Sequence, residues 1–333
     1  MERIFPAILL VLAFTLPVYA QQPTIVGHLS VLTNSPLYLA QEKGYFKEQG
    51  LNVRLESLPA GRDVLVMLSA GQFHVGTTTI GSATFNAWKR GMDVVAVATM
   101  SAFYPDPKAP AVTPFVVRKK SIDAGEIKGI PDLKGKKCAI NSRGVKTEFD
   151  LDKVMRQGGM TIDDIDLVTM PFPDMVTALD TGAIYCAILA EPLTTLAEDK
   201  GIAVRMAGNF APGSQTLALF YNTRFARERR ADAERFMVAY LKGIRDLYGE
   251  GWRSDENTAI ITKYTRVAVP VLKKAVTPYV DPDGRLELAS LREQQLFYMR
   301  RGTLAYKELI NEAEMIDDSF RERAVLTLGP FRR

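Results

Sequence analysis

One short stretch concentrates side chains that can do chemistry: Asn141-Ser142-Arg143-Gly144-Val145-Lys146-Thr147. It runs off a strand-like segment into a helix-like one. Hydroxyls, a glycine that permits close backbone approach, and two cations near a helix N-terminus suit a carboxylate or sulfonate. The candidate contacts are Ser142, Arg143, Gly144, Val145 and Thr147, and Lys146 is read as a surface side chain. The competing reading is a solvated basic loop. Phe172 and Asp174 follow the next strand, where Phe172 is placed to stack on a ring or wall a cleft. Glu191 ends a later strand and precedes Pro192. A carboxylate there suits a ligand amine or ring N–H, and otherwise serves as a helix-start charge. Arg143 favours an anion and Glu191 a donor, so a zwitterion or a heteroaromatic ring would satisfy both.

The N-terminal half offers uncharged groups. Thr33, Asn34 and Ser35 follow the first strand, and Thr77, Thr78 and Thr79 follow the third. Tyr38 in the helix after Ser35, and Ser101 after the fourth strand, join this set. Loops at the carboxyl ends of parallel strands are where such folds hold ligands. Helices opening at Ser35 and Ser82 leave amides free for an anionic group, although plain capping explains Ser35 as well. Phe103 and Tyr104 supply aromatic walls or hinge packing.

The sequence lacks other chemistry. No HExxH, GxSxG, Walker loop or GxGxxG occurs. Two histidines and two cysteines leave little material for zinc sites, haem ligation or Cys–His catalysis. His28 and His74 read as strand or surface residues. Hence no catalytic group, metal or cofactor is expected, and the chain reads as a non-enzyme. The charge, 42 basic against 38 acidic side chains for a net +4, is too mild for nucleic acid binding as the main task.

These residues need positioning, and 333 residues at 47% hydrophobic suffice for two ordinary domains. From Thr24 the chain alternates strand-like and helix-like runs, the pattern of βαβ units and parallel sheets. Strands are expected at 25–31, 51–58, 74–77 and 94–99. Helices are expected at 38–43, 62–70 and 82–89, each closed by a glycine. Residues 101–114 carry four prolines and mark a domain crossing. A second alternating set covers strands at 116–118, 136–141, 166–170, 183–190 and 204–207. Its helices are at 147–157, 174–181 and 193–200. Residues 216–222 form a further strand read as the return crossing. The remainder is helical, with one long helix at 226–248 and shorter ones at 259–264, 269–276, 286–301 and 306–313. The expected fold class is α/β, with residues 24–114 plus 221–333 as lobe I, 115–220 as lobe II, and a helical C-terminal section.

Met1–Ala20 combines an apolar run with a Val18-Tyr19-Ala20 cleavage pattern and reads as a secretory signal peptide. The mature chain is then exported, to the periplasm in a bacterium. Export leaves two readings open for Cys138 and Cys186: free buried thiols, or a disulfide between neighbouring parallel strands.

The run from Ser35-Pro-Leu-Tyr-Leu-Ala to Gly44-Tyr-Phe, ending in Gly50-Leu-Asn-Val53, resembles the opening of periplasmic substrate-binding proteins of nitrate/sulfonate/taurine-type (NitT/TauT) ABC transporters. Three more segments agree in order: Ser69–Gly76, Asp132–Lys137, and Ala178–Gly182 followed by Glu191-Pro192. The resemblance covers essentially the whole mature chain and is close to the pyrimidine-precursor-binding branch. It implies a type II periplasmic-binding-protein fold with a hinge. It also implies capture of a small anionic, zwitterionic or heteroaromatic molecule by a monomer that delivers it to an ABC permease. Synthase members of the branch carry a cysteine-rich motif and a substrate histidine, whereas this chain has only Cys138 and Cys186. The alternatives are a pyrimidine-synthase-like enzyme and a ligand-sensing subunit for a membrane kinase.

Overall fold

The computed structural model describes residues 22–59 and 61–332; the expected signal peptide lies outside the described residues. Ten strands form two five-stranded sheets. The first sheet contains β1 (Thr24–His28), β2 (Val53–Ser57), β3 (Val75–Thr79), β4 (Val94–Ala102) and β10 (Gln215–Asn222), in the order β2-β1-β3-β10-β4. The second contains β5 (Phe115–Arg118), β6 (Lys137–Ile140), β7 (Asp166–Thr169), β8 (Cys186–Ile188) and β9 (Ala203–Arg205), in the order β7-β6-β8-β5-β9. Both sheets follow one plan. Three parallel strands lie at one side, and a strand that has just arrived from the other sheet inserts antiparallel beside them.

This arrangement corrects the expected boundary at residue 220. All eight residues of β10 are buried, and the strand pairs with both β3 and β4. It is therefore the inner antiparallel strand of the first sheet, not a crossing. The return connection is the shorter stretch 206–214. A strand buried on both faces reads as a continuous apolar run, and such a run does not say which sheet it joins.

Helix Lys146–Gln157 shows why the helices form where they do. Phe149, Leu151, Val154 and Met155 are buried on different sides of a helix that is enclosed nearly all round, and the helix stops at Gly158 and then Gly159, whose φ is +72°. Burying each such side chain contributes about 1.5–3 kcal/mol. The expected long helix at 226–248 is broken at Arg229 (φ −119°, ψ 41°) into Thr223–Glu228 and Arg230–Arg245. Asn222 caps the first piece through its side chain. Arg229 turns away to Asp232, Thr24 and the Gln22 carbonyl. The expected helix at 306–313 is absent, and only Glu312–Met315 is helical, capped by Asn311. The backbone before it bends irregularly and is tied down by side chains elsewhere: Ala305 N–H donates to Asn86, and Ile310 N–H to Gln295. A final helix, Ser319–Leu328, follows the acidic pair Asp317-Asp318.

Helix Leu288–Arg300 packs against both halves. Phe297 lies edge-on to Phe149 of the second half, 5.4 Å between ring centres, and Tyr298 lies 6.1 Å from Phe85 of the first. These residues belong to one apolar cluster that runs through both sheets. Lys153 pairs with Glu293, Arg301 with Asp163, and Lys274 with Asp199 across the same boundary.

The open question of the cysteines is resolved. Cys138 and Cys186 face each other in register on β6 and β8, are fully buried, and are joined as a disulfide with Cα atoms 4.6 Å apart. No helix among the described residues is long and apolar enough to cross a membrane.

Candidate functional site

The two halves meet where the loops after β3 and β6 touch. The Ser82 amide, at the start of helix Ser82–Lys89, donates to the Gly144 carbonyl at 2.7 Å, and Ser82 Oγ donates to the same oxygen at 3.1 Å. The approach is close enough to require glycine. A Cβ on Gly81 would lie 2.4 Å from the Gly144 oxygen, and Gly144 itself adopts φ +72°. The amide of Ser82, expected to face a ligand, is thus engaged by the opposite lobe.

The loop that opens on Asn141 is closed on itself. Gly144 N–H donates to Glu148 at 2.6 Å, and Thr147 Oγ1 donates to Asn141 Oδ1 at 2.6 Å. Arg143 is exposed and donates to the Leu167 carbonyl at 3.0 Å, with Nη1 3.8 Å from Glu148. Ser142 Oγ donates to the Arg143 carbonyl, and Val145 takes the N-cap position. Lys146 departs from its expected surface position. It is 1% exposed, pairs with Asp150 one turn on, and sits 4.8 Å from the Phe103 ring centre and 4.9 Å from that of Phe149. Burial pushes the lysine down and the aspartate up, against their mutual attraction. Two flanking aromatic faces and an i,i+4 carboxylate make that burial tolerable.

Phe172 opens helix Phe172–Thr181 and packs half-buried on the core of the second lobe, while Asp174 is exposed in its first turn. Glu191 is 6% exposed and engages four donors. Arg205 reaches it at 2.5 Å, and the Thr195 amide and hydroxyl at 3.2 and 2.9 Å. The fourth is the Val276 amide, at 3.3 Å, from the C-terminal section. The carboxylate therefore fastens the second lobe to the C-terminal helices.

On the first lobe, Asn34, Ser35 and Tyr38 are buried and serve the turn before them. Asn34 and Tyr38 donate to the Leu29 carbonyl at 2.8 and 2.9 Å, and Ser35 to that of Leu32 at 2.6 Å. Tyr38 also stacks on Tyr264, 4.2 Å between ring centres. Thr77 and Thr78 are buried and Thr79 partly so. Thr79 lends its carbonyl to Thr84, and the Thr78 hydroxyl lies close against Gly61. The hydroxyls of Thr77 and Ser101 are buried with no hydrogen-bond partner among the described residues. His28 is buried on β1 beside Tyr38, and desolvation lowers its pKa. His74 Nδ1 accepts from the Ile25 amide. Among the described residues no group of three or more histidine, cysteine, aspartate or glutamate side chains is placed to hold a metal.

Sequence reasoning missed Glu148, Asp150 and Arg205. Glu148 carried a readable signal, because an acidic residue at the third helical position answers the free N-terminal amides. Asp150 had the i,i+4 spacing to Lys146. Arg205 reaches Glu191 only through the sheet, and no spacing announces that.

Residues 33–250 match the family described as NMT1/THI5 like. The 4-amino-5-hydroxymethyl-2-methylpyrimidine phosphate synthase of Aspergillus parasiticus is 31% identical over 135 residues. That match takes in 40% of this chain and spans only 36% of the relative's length. The periplasmic nitrate-binding protein NrtA from Synechocystis PCC 6803 superposes with a TM-score of 0.74 at 13% identity, covering 93% of this chain and 90% of that one. The periplasmic aliphatic sulphonate binding protein SsuA from Escherichia coli gives 0.72 at 18% identity, covering 90% and 92%. At these identities the likeness establishes the fold, that of periplasmic binding proteins.

Proposed function

Since the chain belongs to the NMT1/THI5-like family, we propose that it is the solute-binding component of an ABC importer, exported to the periplasm, where it captures a small molecule between two lobes and delivers it to a membrane permease. The observation that carries this reading is the seam itself. Two sheets of one plan are linked by two connections and touch through Ser82 and Gly144, so a molecule contacting both lobes favours the closed arrangement over the open one. The polar candidates Thr77, Thr78, Thr79 and Ser101 on the first lobe, and Ser142, Thr147 and Asp174 on the second, with the aromatic Phe172, are the groups we assign to the ligand.

The test is a thermal-shift screen of the exported protein against nitrate, sulfonates, carboxylates, uncharged amides and pyrimidines. A ligand that binds the folded state alone raises the melting temperature in proportion to ln(1 + [L]/Kd). Absence of any hit in a broad screen, with solute uptake unaffected by deleting the protein, would remove the reading.

The rival reading, a synthase, draws on the name of the Aspergillus relative. Its support is thin here. The match spans 36% of that enzyme, and both cysteines are spent on each other. Product formation with loss of a protein histidine would favour it.

A further inference from the structure

We propose that Glu148 is a specificity-determining residue: it stands in the cleft as the protein's own anion, so that the captured solute presents an uncharged face, not an acidic one, to the second lobe. This deepens the solute-binding reading above and rests on it. The loop 141–147 carries the features that draw an anion: a glycine amide, a helix N-terminus and cations. The chain has already answered each of them.

Glu148 Oε2 accepts the Gly144 amide at 2.6 Å from the third position of a twelve-residue helix, where the dipole favours negative charge. Its Oε1 lies 3.8 Å from Arg143 Nη1 and 3.9 Å from Arg301 Nε. The Glu148 side chain is 3% exposed, so water screens its own charge poorly. Arg143 Nη2 donates to the Leu167 carbonyl. Lys146 is cancelled by Asp150. The remaining amide at the seam, that of Ser82, is taken by the Gly144 carbonyl. An acidic ligand entering here would lie beside a buried carboxylate and compete with it for Arg143 and Arg301. Polar atoms left without partners near the strand ends and the crossings include the uncharged Thr77 and Ser101 hydroxyls and the Asn209 side-chain oxygen; the charged ones, Arg205 Nη1 and Arg301 Nε, belong to guanidinium groups already paired with Glu191 and Glu198 and with Asp163 and Glu148. The uncharged ones suit an amide, a hydroxyl or a ring N–H.

The experiment compares the wild-type protein with Glu148→Gln by isothermal titration and thermal shift. Nitrate, methanesulfonate and acetate serve as anionic probes; nicotinamide, uracil and cytosine serve as uncharged ones. We expect no anion binding to the wild type, and binding at least about tenfold tighter in Glu148→Gln, since a neutral amide no longer repels the probe. Binding of an anion to the wild type overturns the proposal while leaving solute capture intact. So does a folded Glu148→Gln that gains nothing. The wild-type arm decides the matter even if the variant does not fold. A second variant, Arg143→Gln, should leave uncharged probes unaffected, and a loss of more than about tenfold would place Arg143 on the ligand and overturn the assignment. Failure of every probe and of a broad uncharged library, whatever Glu148→Gln does, removes solute capture itself and this inference with it.

Discussion

The Ser82 amide and the Gly144 carbonyl, 2.7 Å apart, join the first α/β lobe to the second. Glycine at position 81 makes that distance possible. Its own backbone is extended (φ −135°), so alanine fits locally and only the opposite lobe objects. Gly81→Ala should therefore hold the seam open without unfolding either lobe. Spin labels at the exposed Arg62 and Lys134 would report it as a longer, broader inter-lobe distance. An unchanged distribution would mean that the seam does not control closure.

Glu191 is a structural fastener in this geometry. Glu191→Gln weakens the contacts with Arg205 and with the Val276 amide. Breaking a fully buried pair costs about 3–5 kcal/mol, and a partly exposed arginine lowers that to about 2 kcal/mol. Urea unfolding should show the loss as a lower midpoint with the slope unchanged. A stability equal to wild type would return Glu191 to the list of ligand contacts.

The Lys146–Asp150 pair should behave non-additively. Lys146→Met alone strands a buried aspartate, and Asp150→Leu alone strands a buried lysine, each at a cost of about 3–5 kcal/mol. The double variant fills the same space with apolar atoms against Phe103 and Phe149, and should recover most of the loss. A double variant as unstable as the sum of its parts would refute the pairing.

Burial lowers the pKa of His28 below its ordinary 6.5, and that of His74, with Arg229 adding to the effect. The unfolded chain then binds more protons than the folded one just below pH 6.5. The stabilisation from the neutral rings is complete above that pH and is lost as pH falls toward the folded-state values. Melting temperatures should drop from pH 7.5 to about pH 5.5, and His28→Gln should flatten the slope. A slope that His28→Gln leaves intact would assign it to other groups.

The Cys138–Cys186 link closes a loop of sequence separation 48. In the chain-entropy account such a loop stabilises by about 4 kcal/mol. Both thiols are buried, so reduction should need prior opening, and the double alanine variant should lower the denaturation midpoint markedly. Fast reduction of the native protein by dithiothreitol would contradict the burial.

Much of this was readable in the chain. Glycine stops at 44, 71, 91, 182 and 201 and the two strand–helix series located nearly every element, because local periodicity and glycine's freedom act over a few residues. Non-local pairing was hidden. Nothing in Gln215–Asn222 says that it slots between β3 and β4, and nothing near Glu191 points to Arg205. The loop at 141–147 was legible as anion-seeking, but the carboxylate that answers it lies one residue beyond, within the helix, and shows its role only when the helix is built.

The order of strands also dictates an order of assembly. The second sheet is made from one uninterrupted stretch, Phe115–Arg205, and contains everything it needs once that stretch is available. The first sheet cannot close then, because β4 has β10 as its only neighbour in the sheet, and β10 arrives more than a hundred residues later. Contacts at such separation form slowly. A chain threaded across a membrane from its N-terminus would thus complete its inner lobe while the outer one waited, with β4 and the apolar faces of its helices uncovered until residue 222 had followed.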